Sequence, residues 1–262
     1  MPALLRHAPA ALAALFAVIS CGAATVDSPS ASNSAPAPLA HLLYVTQSAG
    51  FRHDVLPLSA TILQDLGRRS GAFDVTAMDD STLVARDALA RFDAVAFFTT
   101  GELPMSADQK AALLDFVRSG KGFVGIHSAT DTFYEWPDYG ALIGAYFDGH
   151  PWHQQVTVRV EDSAHPATTG LPAAFQLSDE IYQFRNWSRG SVHVLLNLDP
   201  RSVDTRAEGV HRTDGDFALA WTRAYGQGRV FYTALGHEPA VWQDARFQQH
   251  LTGGIRWAMG RN

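Results

Sequence analysis

Histidine and carboxylate side chains follow several predicted strands, at the points where those strands end. His53 comes after the strand predicted at 41–46, Glu102 after that at 93–100, His127 and Asp131 at the end of that at 122–127, and His237 after a strand in the second half. Because ligands of open α/β sheets bind beyond the carboxyl ends of the strands, we expect these side chains to share one edge. Histidine titrates near neutral pH, so the clustering predicts acid/base chemistry. Taken singly, His53 and His237 fit a structural role beside backbone groups equally well.

The segment Gly125-Ile-His-Ser-Ala129 resembles a nucleophile elbow, a sharp strand-turn-helix in which small flanking residues let the central side chain project. That position holds serine in hydrolases and cysteine in amidotransferases, but here it holds His127. The only cysteine is Cys21, near the N-terminus. Covalent thioester chemistry is therefore excluded, and Ser128 is a weak nucleophile candidate because an elbow aims one residue and not its neighbour.

An aromatic segment with interspersed carboxylates follows the elbow. Its Tyr134, Trp136 and Trp152 suit a sugar site, because the apolar C–H faces of a sugar stack on rings while its hydroxyl groups bond to acids. Packing in the core explains Trp136 and Trp152 equally well. The segment therefore indicates carbohydrate binding only in combination with the histidines.

His150 and His153 lie three residues apart at the end of this segment. Pro151 between them argues against one helical face, so we expect any metal site there to be built from a loop, with His127 or His237 as further ligands. A divalent ion of the zinc or manganese class, with open coordination positions, would polarise a carbonyl. Acid/base roles for the same histidines are the alternative.

The elements that position these residues follow from the spacing of apolar residues. Strands are predicted at 41–46, 93–100 and 122–127, helices at 56–69 and 111–117, and a capping box at Ser106-Ala-Asp-Gln109. In the second half, strands are predicted at 156–160, 192–198, 218–223 and 229–233, a hairpin turn at 225–228 and a final helix at 244–259. The alternation predicts an α/β fold, doubly wound, with a mostly parallel central sheet, helices on both faces and added antiparallel strands in the C-terminal half.

The N-terminus predicts export. One basic residue, Arg6, precedes the apolar run 10–19, which is about half of the roughly 20 residues that a transmembrane helix needs. Val18-Ile-Ser-Cys21 resembles a lipobox, so we expect residues 1–21 to be a lipoprotein signal peptide and Cys21 to carry a lipid anchor at the periplasm or cell envelope. An ordinary secretory signal is the alternative. Residues 22–40 are predicted to be a Ser/Pro/Ala-rich flexible linker, and residues 41–262 the folded domain.

The composition limits the partners. The formal charge is −6, and Lys110 and Lys121 are the only lysines. This balance argues against a nucleic-acid surface. With one cysteine, the chain has no disulfide framework and no thiolate zinc site. The oligomeric state is left open.

Five segments carry a resemblance to the ThuA-like family, named for trehalose utilisation, whose fold resembles class I glutamine amidotransferases. The matching segments are 50–53, 125–131, 139–154, 179–184 and 223–237. The resemblance implies carbohydrate catabolism, on disaccharides or their 3-keto derivatives. It also adds Glu180 and Tyr182 to the candidate site.

The leading hypothesis is an enzyme that transfers protons next to a carbonyl of a sugar or keto-sugar, with isomerase, lyase or hydrolase chemistry left open. A non-catalytic carbohydrate-binding lipoprotein is the alternative, and a glycosidase using two of Glu102, Asp131, Glu135 and Glu180 is weaker. The predicted catalytic residues are His127, Glu180, His237 and Asp131, the predicted substrate-binding residues are His53, Glu102, Tyr134, Trp136, Trp152, Tyr182 and Arg223, and the predicted metal ligands are His150 and His153.

Overall fold

The computed structural model describes residues 1–2 and 38–261. The predicted signal peptide and linker, with Cys21, lie outside the described residues except at their ends, so their assignment stays a prediction. Residues from Pro38 onward form one compact unit. In the part of the chain that is described, no helix combines the length and apolar character that crossing a bilayer requires.

The described residues form eleven strands: β1 Ala40–Val45, β2 Phe73–Met78, β3 Ala94–Phe97, β4 Gly122–Ile126, β5 Tyr146–Phe147, β6 Trp152–Val160, β7 Ala174–Ile181, β8 Phe184–Arg185, β9 His193–Leu198, β10 Ala218–Tyr225 and β11 Gly228–Thr233. Nine of them form one sheet in the order β2-β1-β3-β4-β11-β10-β9-β6-β7. The five strands from β2 to β11 are parallel, and the following four are antiparallel. A separate two-stranded ribbon pairs β5 with β8.

Helices cover both faces of this sheet. In one group, α1 Leu56–Ser70, α5 Pro239–Gln243 and α6 Ala245–Ala258 contact one another; in the other, α3 Ala107–Arg118 contacts both α2 Arg86–Leu89 and α4 Pro137–Ile143. The predicted α/β fold with a parallel half and antiparallel additions is confirmed. Because β1, β3 and β4 are fully buried between these layers, apart from His41, they consist almost entirely of apolar residues.

Local sequence signals explain where helices begin and end. The predicted capping box is present: the Ser106 hydroxyl accepts from the Gln109 N–H, and the Gln109 side chain accepts from the Ser106 N–H. The side chain of Asp244 caps α6 in the same way, by accepting from the Arg246 N–H. By contrast, α1, which follows β1, begins without a side-chain cap and has a proline in its first turn.

One boundary differs in a way that affects the site. The strand predicted at 156–160 begins at Trp152, because residues 152–159 pair with β7 along their whole length. His153 therefore lies on β6, opposite Glu180 of β7, and the predicted loop location is wrong for His153. His150 does precede the strand, as a loop residue.

Candidate active site

His127 occupies a strained elbow after β4. Its φ of 46° lies in the left-handed region. His127 is the first residue of a 3₁₀ turn, His127–Asp131, that directly follows β4. Two residues before this turn, the neighbouring side chains pack so closely that only glycine fits: a Cβ at Gly125 would lie 2.8 Å from the Tyr232 ring and 2.9 Å from Ile143. The turn aims His127 and not Ser128, whose buried hydroxyl has no hydrogen-bond partner. Strain of this kind is typical of functional positions.

Hydrogen bonds fix the His127 ring. Its Nδ1 lies 2.7 Å from the Ala234 carbonyl oxygen and therefore donates to it. The Nε2 atom then carries a lone pair, which accepts from the Tyr182 hydroxyl at 3.0 Å. A second tyrosine, Tyr232, donates to the His127 carbonyl at 2.7 Å. The buried ring thus presents a basic nitrogen towards the neighbouring strand ends.

Three side chains from other elements converge on that nitrogen and form with His127 a cluster of four residues. The Glu180 Oε2 atom lies 3.4 Å from His127 Nε2 and 3.2 Å from His237 Nδ1, and the two ring nitrogens are 3.3 Å apart. His53 packs edge-on against both rings, with centroid distances of 4.9 Å to His127 and 5.2 Å to His237. Potential ligand atoms of these four residues all lie within 4.8 Å of one another. The carboxyl ends of β1, β4 and β11 therefore meet β7 at one point.

The pKa values of the residues in this cluster are shifted in different directions. Burial acts to raise the pKa of Glu180, but its close contacts with the His127 and His237 rings outweigh burial and hold the pKa low. The Glu180 carboxylate in turn raises the pKa of His237. Burial, together with repulsion from the other two histidines, lowers the pKa of His53 to about 3. At neutral pH the cluster therefore contains an ionised Glu180 and a neutral His53.

A crevice of about 440 Å³ opens onto the cluster. Its volume lies within the range of about 300–1,000 Å³ that is common for small-molecule sites. Asp131 lines it, held by the Tyr134 hydroxyl at 2.5 Å, and burial raises the Asp131 pKa although this hydrogen bond opposes the rise. The crevice lining consists of Phe51, His53, Asp131, Phe147, His150, His153, Glu180, Tyr182 and His237.

Asp179 fastens the loop that carries His237. Its carboxylate is fully buried and accepts from the backbone N–H groups of Gly236, His237 and Glu238 at 2.7, 3.1 and 3.0 Å. Because Asp179 is adjacent to Glu180 on β7, one short segment both supplies a carboxylate to the cluster and positions the histidine that Glu180 contacts. Asp179 was not among the residues predicted from the sequence.

The cluster fits a metal ion by its donor chemistry and spacing. Metal–ligand bonds of 2.0–2.1 Å in a tetrahedron place ligand atoms about 3.3 Å apart, and the separations among His127, Glu180 and His237 are 3.2–3.4 Å. His53 adds a buried Nδ1 without a hydrogen-bond partner. The metal ligands predicted from sequence are displaced towards the rim: His150 Nδ1 lies 3.4 Å from Glu180, and His153 Nε2 lies 2.7 Å from Glu238.

Comparison with known proteins identifies the family. The family model described as trehalose utilisation, ThuA, matches residues 41–258. The chain belongs to the ThuA family.

Solved structures similar to this ThuA family member include a ThuA-like protein from Parabacteroides merdae, at 21% identity and a TM-score of 0.69, covering 86% of this chain and 91% of that chain. A ThuA-like protein from Bacteroides uniformis has 26% identity and a TM-score of 0.71, covering 87% and 94%. A β-galactosidase from Bacillus circulans sp. alkalophilus shares the fold, at 12% identity and a TM-score of 0.54, covering 85% of this chain and 31% of that chain. The comparison with curated protein sequences finds no match.

The fold of this ThuA family member brings most of the predicted site residues together. His53, Asp131, His150, His153, Glu180, Tyr182 and His237 line the crevice, and His127 lies behind them in contact with Glu180 and Tyr182. Of the four carboxylates considered for a glycosidase, Asp131 and Glu180 line it. Glu102 is exposed and accepts from the backbone N–H of Glu135 outside the crevice lining.

Four other predicted substrate-binding residues lie elsewhere. Trp152 is buried against Phe217, where its Nε1 donates to the Asp204 carbonyl. Trp136 packs on Phe133 and Tyr139. Tyr134 donates a hydrogen bond to Asp131 but does not line the crevice itself. Arg223 lines a separate groove with His193 and Trp257. Instead, Phe51 and Phe147 are the phenylalanines of the crevice. Phe51 stands within the Gly50-Phe-Arg-His53 segment, so its position two residues before His53 was the available signal.

Proposed function

We propose that this ThuA family member is an enzyme of sugar utilisation that performs acid/base or metal-assisted chemistry on a disaccharide or keto-sugar. The observation that carries the proposal is the convergence of His127 Nε2, His237 Nδ1 and Glu180 Oε2 within 3.2–3.4 Å at the floor of the crevice. Groups whose pKa values are shifted apart in one cleft are typical of proton-transfer sites. The missing cysteine at the elbow argues against amidotransferase chemistry.

In this proposal, His127 acts as the base, because its tautomer is fixed by Ala234 and its Nε2 faces the crevice cluster. The half-buried Asp131, with its raised pKa, is suited to return a proton at the other side of the crevice. Tyr182 supplies a hydroxyl that is able to bond to a substrate oxygen. Reaction next to a carbonyl requires such a base and a nearby donor.

One divalent ion of the zinc or manganese class is part of the proposal. His53, His127, Glu180 and His237 would hold it, since three imidazoles and one carboxylate are donors that both ions accept. When bound, the ion would supply polarisation of a substrate carbonyl. His127 would then be a ligand, and Asp131 would be the proton-transfer residue.

The test is turnover of 3-keto-trehalose and trehalose by the purified protein, with metal content measured on the same sample. We expect His127→Ala to lower turnover by about 10²–10⁴-fold. The matched control is His250→Asn, which alters another buried histidine outside the crevice and should keep activity. Unchanged turnover in His127→Ala would remove the proposed role, and a metal-free, chelator-resistant activity would remove the ion. Tight binding of trehalose without product would favour the carbohydrate-binding alternative.

Export through a lipid anchor is a separate part of the proposal. The apolar run 10–19 after Arg6 and the lipobox-like Val18-Ile-Ser-Cys21 support it. A Cys21→Ser protein is expected to lose lipid and membrane attachment while keeping full activity, measured by fractionation and turnover. Membrane attachment that persists in this variant would contradict the anchor.

A further inference from the structure

Phe51 stands out among the apolar side chains of the folded domain. It is 65% exposed, and in residues 38–261 the only other large hydrophobic side chain that is exposed is Leu39, at the start of the domain. Leu39 lies away from the crevice, whereas Phe51 lines it. A single exposed apolar residue needs no explanation on a protein surface, but one at the rim of a polar crevice is placed where a ligand would cover it.

The loop that carries Phe51 is held firmly. The Ala49 N–H donates to the Thr100 carbonyl at 2.8 Å, and the Thr100 hydroxyl donates to the Phe51 carbonyl at 2.8 Å. Gly101 permits this close approach: its φ is 73°, and a Cβ there would lie 2.7 Å from the Gly50 nitrogen. The exposed ring is therefore presented on a fixed backbone, which reduces the entropy cost of ligand binding.

The surroundings of the ring indicate the kind of ligand. Phe51 meets the His53 ring edge-on at a centroid distance of 4.9 Å, so it lies next to the histidine cluster. Phe147, the other phenylalanine of the crevice, packs instead against Tyr182 at 4.4 Å and stacks on His150 at 5.8 Å. Only part of Phe147 is free, whereas the face of Phe51 is open. A free aromatic face next to polar hydrogen-bonding groups suits the C–H face of a pyranose ring.

We infer that Phe51 is the platform for a second sugar ring, the one that does not react, and that it makes the crevice prefer disaccharides to monosaccharides. The inference rests on the proposed function. The reacting ring would lie over Glu180 and Asp131, in front of His127, and the second ring would stack on Phe51 at the rim. Neither the acid/base role of the cluster nor a metal ion in it requires this platform.

The test is calorimetric titration of the full protein with trehalose and with glucose. We expect the wild type to bind trehalose more tightly than glucose. Phe51→Ala should weaken trehalose binding by about tenfold and leave glucose binding unchanged, because one stacking contact is lost. Phe51→Trp keeps an aromatic face and should restore trehalose binding. Leu39→Ala is the matched control, since it removes an exposed apolar side chain away from the crevice.

Three results would overturn the inference, and they are distinguishable. If Phe51→Ala binds trehalose as tightly as the wild type, the platform is wrong while the proposed function stands. If the wild type neither binds nor converts trehalose, 3-keto-trehalose or glucose, the proposed function fails, and the platform fails with it. An equal loss of glucose and trehalose affinity in Phe51→Ala would also contradict a role restricted to the second ring.

Discussion

Two regions of the molecule bury a histidine almost completely, and only one of them has the features of a site. His127 lies below the crevice, and His250 lies on α6 against Phe231 and Phe247. Both rings use Nδ1 to bond a backbone carbonyl, that of Ala234 at 2.7 Å and that of Ala167 at 2.9 Å. Burial and a fixed tautomer are therefore common to both.

The difference lies in what the second nitrogen faces. His127 Nε2 meets a tyrosine hydroxyl, a carboxylate and another histidine, all of which line the crevice. His250 Nε2 is buried without a hydrogen-bond partner, and its ring neighbours are phenylalanines. A buried histidine becomes a functional candidate through convergent polar groups and access to a ligand, not through burial alone.

The largest expected effect concerns the purely structural histidine. Burial lowers the pKa of His250 to about 4, so the folded state favours the neutral ring. The stability that the neutral ring contributes is complete above pH 6.5 and is lost as the pH falls towards 4. The total loss in the free energy of unfolding is about 3 kcal/mol. Urea unfolding at pH 7 and pH 4.5 would measure it. In His250→Asn, whose amide retains a donor but does not titrate, the difference in unfolding free energy between pH 7 and pH 4.5 should be smaller by about 2.5 kcal/mol, because pH 4.5 covers most but not all of the titration. Equal pH dependence would contradict the assignment.

The next effect tests how the crevice is held together. In Asp179→Asn an amide NH2 group replaces one of the two carboxylate oxygens, so at least one of the three backbone N–H groups loses its acceptor. We expect a loss of about 2 kcal/mol in the free energy of unfolding and at least tenfold lower turnover, because the His237 loop is released.

A matched control is Asp162→Asn. Asp162 also accepts from two backbone N–H groups, those of Ala164 and His165, but lies near the surface and away from the crevice. It should cost less stability and leave turnover unchanged. If Asp179→Asn kept full activity, the positioning role of Asp179 would be wrong.

The same contrast explains how much the sequence could predict. The rule that ligands bind beyond strand ends selected His53, His127 and His237, because β1, β4 and β11 are local apolar runs whose ends are visible in the sequence. It did not select His250, which continues a helical pattern. Glu180 and Tyr182 entered only through the family resemblance, since β7 reaches the site by pairing with β6, a non-local contact.

Residues that depend on tertiary packing were not predictable in the same way. Trp152 and Phe51 are both aromatic and both lie in the family segments, yet one is 3% exposed and the other 65%. Their difference is decided by what packs over each ring, which the residue types do not encode. The role of Asp179 could not be predicted either, because its three hydrogen-bond partners are backbone N–H groups, which the residue types do not reveal.

The smallest expected effect concerns the proton-transfer side of the crevice. The Tyr134 hydroxyl donates to Asp131 at 2.5 Å and stabilises the carboxylate, which opposes the rise in pKa caused by burial. Tyr134→Phe removes this donor and should raise the Asp131 pKa further, by about one unit. Whether Asp131 acts as base or acid, the limb of the pH–rate profile that it controls should move to higher pH by the same amount. Tyr146→Phe is the control, because the Tyr146 hydroxyl donates to the Trp136 carbonyl and not to Asp131. A profile that shifts equally in both variants, or in neither, would exclude Asp131 as the titrating group and leave the histidine cluster as the only source of proton transfer.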